Sequence, residues 1–191
     1  PVSDISQYAQ PFTAFFVDAV SAGTLSVTEA NKCTCGTDNV FRPMPSSAEP
    51  KKLVINMRSH NADGSTPTVD GVLVTFSDNY SNSTDQYDAA NITNIGSENL
   101  AMVRNGLKLS IERRNATLDA DTVYLDMSSL KVRDYHFEFV PTNFQEASLT
   151  AFIEDSYTGT QTPIDLSAGS NYQFSIINNP AAYAGNRFRV I

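Results

Sequence analysis

Tryptophan is missing from these 191 residues, and histidine and cysteine occur twice each. Without Trp the chain lacks the flat ring best suited to stacking on a sugar face. His60 and His136 offer little for general acid–base chemistry, and no Gly-x-Ser-x-Gly elbow presents a serine nucleophile. The two histidines show no ligand-like spacing, so the sequence argues against a zinc site. Basic residues are scarce: 13 Lys and Arg stand against 21 Asp and Glu, giving a net charge of -8 and a pI near 4.6. Nucleic acids and anionic membranes both need a cationic counterpart, and neither is an expected partner. No apolar run reaches transmembrane length; the longest is Ala14 to Val17, followed by Ala19 and Val20. Charged residues make up only 18% of the chain. The surface therefore leans on Ser, Thr, Asn and Asp, as is common in extracellular β proteins.

What the chain has in quantity is period-two alternation. Tyr135, Phe137 and Phe139 alternate with Asp134, His136 and Glu138. The pattern returns at Leu149, Ala151 and Ile153, at Tyr172, Phe174 and Ile176, and at Phe188 and Val190. Such alternation predicts strands with one buried and one wet face. Further strands are predicted over 12–20, 25–29, 40–42, 51–59, 71–76, 100–103, 107–111, 122–125 and 163–166. Asn105-Gly106 is a strong hairpin signal, and a helical turn is expected around 83–90. The expected fold is all-β, an antiparallel jelly-roll-like β-sandwich of roughly a dozen strands with little helix. Residues 1–11 read as an N-terminal arm or linker and 12–191 as the sandwich module, with 115–130 the place for any subdivision. A first residue that is not Met, and a last strand ending on apolar Ile191, predict a module cut from a longer protein.

Several short motifs occur in a fixed order. Near the start are Gln10 to Val17 (QPFTAFFV), Gly23 to Glu29 (GTLSVTE), Lys32 and Val40 to Arg42. The middle carries Asp70 to Phe76 (DGVLVTF), Asp85 to Ala89 (DQYDA) and Leu109 to Glu112 (LSIE). The end carries Leu149 to Asp155, Thr158-Gly159, Thr162 to Leu166 (TPIDL), Tyr172 to Phe174 and Asn186 to Phe188. In this order they resemble the C-terminal β-sandwich region of large secreted and cell-surface proteins of Bacteroidota, exported by the type IX secretion system. The resemblance spans nearly the whole chain. It implies contact with the secretion machinery during export, and then an extracellular or cell-surface location. Such regions accompany adhesins, hydrolases and structural proteins alike, so the resemblance fixes an address better than an activity. Cys33 and Cys35 fall outside the pattern.

The residues themselves point to no catalyst. Glu112, Asp134, Glu138, Glu154 and Asp155 are expected on wet strand faces, and so is His136; His60 reads as a loop residue. Tyr80, Tyr87, Tyr157 and Tyr183 are the loop rings available to a carbohydrate. Asp78, Asp85 and Asp88 have the oxygen density for calcium, with Asn61, Asp63 and Asp70 a second such cluster, although neither has EF-hand spacing. Asn79, Asn82, Asn91 and Asn115 head Asn-x-Ser/Thr sequons, which the bacterial resemblance leaves without a role. Asp121-Thr122-Val123 resembles the Bacteroidota acceptor triplet for O-glycosylation, which would put a sugar on Thr122; the other reading is an ordinary strand threonine. Val2, Ile5 and Tyr8 read as an arm that either pairs with a neighbour or packs on its own domain, and 187–191 is expected as an edge strand. Cys33 and Cys35 admit a local disulfide, free loop thiols, a strained redox loop or a bond to another subunit. The functional expectation is a non-catalytic structural or adhesive module that self-assembles as a surface or filament subunit through homopolymeric contacts. The alternatives are an accessory domain of a secreted hydrolase or a carbohydrate- or calcium-binding module.

Overall fold

The computed structural model describes residues 21–31, 49–115, 121–144 and 149–191. The chain divides into two compact units, 1–47 and 48–191. Within the first, residues 21–31 are exposed and end in a short 3-10 turn, Glu29–Asn31. The strand predicted over 25–29 is not formed. The Asn31 side chain accepts instead from the Thr28 N–H and hydroxyl at 2.8 and 2.9 Å, local bonds that compete with a ladder. Val2, Ile5, Tyr8, Cys33, Cys35 and the strands predicted over 12–20 and 40–42 lie outside the described residues.

The second unit is built from strands, with no α-helix among the described residues. In chain order they are β1 (Lys51–Ser59), β2 (Thr68–Phe76), β3 (Ala89–Ala90), β4 (Asn99–Arg104), β5 (Leu107–Arg114) and β6 (Val123–Ser128). Then follow β7 (Arg133–Thr142), β8 (Ala151–Asp155), β9 (Thr160–Ile164), β10 (Ser170–Ile176) and β11 (Phe188–Val190). The all-β expectation is met, but the architecture is a nearly closed mixed barrel rather than a clear sandwich. One sheet runs β10-β7-β1-β2-β5-β4-β6-β11-β8-β9, and β3 pairs with β5 off that path. The β2–β5 pair is parallel, whereas an antiparallel jelly roll has no such step. Residues 77–106, which include β3 and β4, form the long crossover that a parallel pair requires.

Alternation places the core. Leu53, Ile55 and Met57 of β1 and Tyr135, Phe137 and Phe139 of β7 are all buried. Phe137, Phe174 and Phe188 pack with ring centroids 4.8–5.0 Å apart, tying β7, β10 and β11 together. Such aromatic pairs add about 0.5–1.5 kcal/mol beyond area burial. Asn105 and Gly106 both take positive φ, 51° and 80°, as the two-residue hairpin predicted there demands. The helical turn expected around 83–90 is absent: Asp85 and Asp88 build turns there, and β3 follows.

Two further expectations are corrected. The segment 187–191 is no edge strand: β11 lies between β6 and β8, with Arg189 opposite both Tyr124 and Glu154. In β5, predicted as a strand over 107–111, the alternation breaks. Ala90 pairs with Leu109 and the adjacent Ala89 with Ile111, so β5 carries one extra residue, a bulge at Ser110. Leu109 points inward before it. After it Glu112 and Arg114 are the buried residues, and Ile111 is 39% exposed.

Candidate functional site

The bulge brings charge into the apolar interior, and the chain neutralises it locally. Glu112 is fully buried and receives Arg114 Nε at 2.8 Å and Nη2 at 3.1 Å, together with Arg104 Nη1 at 2.5 Å. Arg114 Nη1 also donates to Asp121 Oδ1 at 2.6 Å and to the Thr122 carbonyl at 2.8 Å. Burial works against the Arg114 charge, but Glu112 and Asp121 hold its pKa above the ordinary arginine value. Asp121 Oδ2 is buried with no hydrogen-bond partner among the described residues.

This network stands beside a cavity of about 490 Å³ at one mouth of the barrel. Here β1, β6 and β8 begin and β2, β5 and β11 end. Leu53, Phe76, Val123, Phe144, Phe152 and Val190 supply apolar wall, while Lys51, Asn115, Asp121, Thr122 and Thr150 bring polar groups. A cavity of this size and lining falls in the range of small-molecule sites. Thr122 lines it, with its N–H donating to Asp121 Oδ1 at 2.8 Å.

A second buried pair lies elsewhere in the barrel. Arg187 grips Asp155 through Nε to Oδ1 at 2.8 Å and Nη2 to Oδ2 at 2.7 Å. Tyr172 donates its hydroxyl to Oδ2 at 3.0 Å and Tyr157 its backbone N–H to Oδ1 at 2.9 Å. Burial alone would raise the Asp155 pKa; Arg187 and Tyr172 hold it below the usual carboxylate value. The expectation that Glu112 and Asp155 face water is therefore wrong. Each strand buries a carboxylate because an arginine close in space meets it. Glu98, buried ahead of β4, is likewise engaged by Arg133 and by the Tyr135 hydroxyl.

The expectation for His136 also fails. It is buried, and its Nδ1 lies 2.8 Å from Nε2 of His60. Antiparallel pairing explains the meeting: β1 and β7 place Arg58 opposite His136 and Ser59 opposite Tyr135, and His60 follows directly. Burial, with His60 and Arg58 nearby, lowers the His136 pKa against the opposing pull of Glu138. The separation of 76 residues hid this contact, and only the β1–β7 register would have exposed it.

The other predicted residues are largely occupied. Asp88 accepts the N–H groups of Asp85 and Arg113 at 2.9 and 2.8 Å, and Asp85 accepts that of Tyr87 at 2.8 Å. Asp78 offers its carbonyl to Asn115 at 3.2 Å. Asp63 closes a turn onto Ser65, and Asp70 spans the N–H groups of Gly71 and Leu100. Among the described residues, no three His, Cys, Asp or Glu side chains gather as metal ligands. Tyr80 and Tyr87 both face the Arg113 guanidinium, at 5.3 and 5.0 Å, and Tyr157 faces Arg187 at 4.9 Å. Tyr183 is exposed in the 3-10 turn Pro180–Tyr183. Asn91 spends its amide on the Leu100 carbonyl and the Ser110 hydroxyl. No helix among the described residues is long and apolar enough to cross a membrane.

Compared with protein-family models, curated proteins and solved structures, the chain matches none.

Proposed function

We propose that this domain is a non-catalytic structural or adhesive module of an exported surface protein, and that it makes contact through the mouth of its barrel. The cavity carries this reading: about 490 Å³ of largely apolar space opening where six strands start or stop. Recognition of an apolar group needs such a preformed hollow and no reactive side chain. The treatment of charge points the same way. Glu98, Glu112 and Asp155 are each held by arginine, which leaves them poor general bases. Export through the type IX route rests on the order of the motifs from Gln10 to Phe188, and assembly into filaments on the surface character of the composition.

Electron microscopy and sedimentation of the protein isolated from its source, without refolding, test the reading. Fibres or discrete oligomers are expected. Thr150→Arg, which sets a charge at an exposed rim position, abolishes them while the melting temperature stays within about 1 °C, since exposed substitutions shift stability little. A monodisperse monomer, with an unchanged melting temperature in a screen of apolar and saccharide ligands, overturns the assignment of the mouth as a contact site.

A further inference from the structure

The two histidines stand apart from the barrel mouth, and neither the fold nor the proposed function uses them. The 191 residues contain no others, yet they meet across 76 positions with ring nitrogens 2.8 Å apart. The ring planes cross at 78° with centroids 5.0 Å apart. His60 is fixed from the backbone as well, since its N–H donates to the Asp134 carbonyl at 2.9 Å. We propose that His60 and His136 form a two-imidazole site for a borderline divalent transition-metal ion, of the copper, nickel and zinc class.

Geometry and donor chemistry both support the site. Metal–nitrogen bonds of about 2.0–2.1 Å set two nitrogens about 2.9 Å apart at a right angle and about 3.4 Å apart at the tetrahedral angle. The observed separation needs to open by a few tenths of an ångström at most, with each ring turning by roughly 35–45° so that its lone pair leaves the N–N line and points at the ion. In the metal-free pair one bridging nitrogen carries a proton and the other accepts it. Binding moves that proton to the second nitrogen of the same ring, so both imidazoles stay neutral and no net proton is released. Imidazole favours zinc, copper and nickel, whereas calcium and magnesium require oxygen, so the hard cations do not compete.

The surrounding charges permit a cation. Arg58, opposite His136 on β1, is engaged by Glu138 at 3.0 Å, and Asn56 donates to the same carboxylate at 3.0 Å. On β7 the Asp134 side chain accepts the Ser175 hydroxyl at 2.6 Å, and neutral Gln173 faces His136 from β10. With no third protein ligand gathered among the described residues, solvent completes the coordination shell. The site is therefore one of moderate affinity. It binds the folded chain alone, because unfolding separates residues 60 and 136.

The test uses the full chain, stripped of metal by chelator and dialysed at pH 7.5. Thermal unfolding is followed as NiCl2, ZnCl2, MgCl2 or CaCl2 is added. Nickel and zinc are expected to raise the melting temperature by roughly 3–6 °C at about tenfold excess over the dissociation constant. Magnesium and calcium leave it unchanged. The nickel shift disappears in His60→Asn and in His136→Gln, which keep a polar side chain. In the unaltered protein, Cu2+ broadens the ring signals of both histidines together, a readout independent of whether either variant folds. A nickel shift in both variants as large as that of the unaltered protein, or broadening of neither histidine, overturns the proposal and assigns any binding to other groups.

Discussion

Arg187 meets Asp155 side-on, through Nε and Nη2, in two parallel hydrogen bonds of 2.8 and 2.7 Å, and both side chains are shut away from water. The guanidinium lies 4.6 Å from the Phe188 ring centroid and also donates to the Ala182 and Ser175 carbonyls, at 2.7 and 3.1 Å. All of its faces are thus used. The pair joins the end of β8 to the start of β11.

Removing one partner strands the other charge in the core. Arg187→Ala or Asp155→Ala is expected to cost about 3–5 kcal/mol in urea unfolding at pH 7. Asp155→Leu combined with Arg187→Met restores much of that loss, because an apolar pair of similar volume avoids desolvating two ions. Equal losses in the double and single variants would count against the pair as the cause.

The same pair makes stability depend on pH with a definite sign. The folded pKa of Asp155 lies below its ordinary value of 3.8, so unfolded chains take up its proton first. Its contribution is complete above that value and is lost as pH falls through the lower, folded pKa. Urea midpoints measured between pH 6 and pH 2 should therefore fall on the acid side. The fall is shallower in the double apolar variant.

The bulge in β5 predicts that both substitution and deletion are tolerated at one position. Ser110→Ala removes only a hydroxyl that accepts from Asn91 at 3.0 Å, and should cost about 1 kcal/mol. Deleting Ser110 removes the extra residue, and Glu112 and Arg114 then follow Leu109 in ordinary alternation on the same inward face, with Ile111 still outward. The deletion variant should therefore keep the dispersed amide spectrum of a folded β protein in two-dimensional NMR.

Two glycines of similar backbone conformation should respond differently to alanine. Gly96 has φ of 75° with open space around its missing Cβ, so Gly96→Ala costs about 1 kcal/mol of left-handed strain. Gly169 has φ of 82°, and a Cβ there would lie 2.6 Å from the Phe139 carbonyl oxygen. Gly169→Ala should be more costly by at least a further 1–2 kcal/mol, about the price of overpacking. Chemical denaturation of the two variants side by side measures the difference.

Local pattern made most strands legible. The alternation through Tyr135, Phe137 and Phe139 marks β7, and Asn105-Gly106 marks the β4–β5 hairpin, because each depends on neighbouring residues alone. What was hidden depends on pairing. The parallel β2–β5 contact, the placing of β11 inside the sheet and the meeting of His60 with His136 are set by register between distant segments. Glu112 and Asp155 misled for a related reason: a charged residue predicts exposure until its arginine is known to lie beside it. The mouth cavity combines residues from both ends of the barrel sequence, Lys51 to Ile191, and no short window contains it.

The position of β11 also sets the timing of folding. The β8–β9 hairpin reaches β6 only through residues 188–190, so a chain emerging from the ribosome has two uncovered strand edges until those residues appear. Exposed edges invite pairing with other chains, and the long-range contacts that remove them form slowly. Commitment to the native barrel is thereby deferred to β11, which follows its partners β6 and β8 in chain order. Any delay in delivering that strand, or a partner holding it, keeps the preceding residues open.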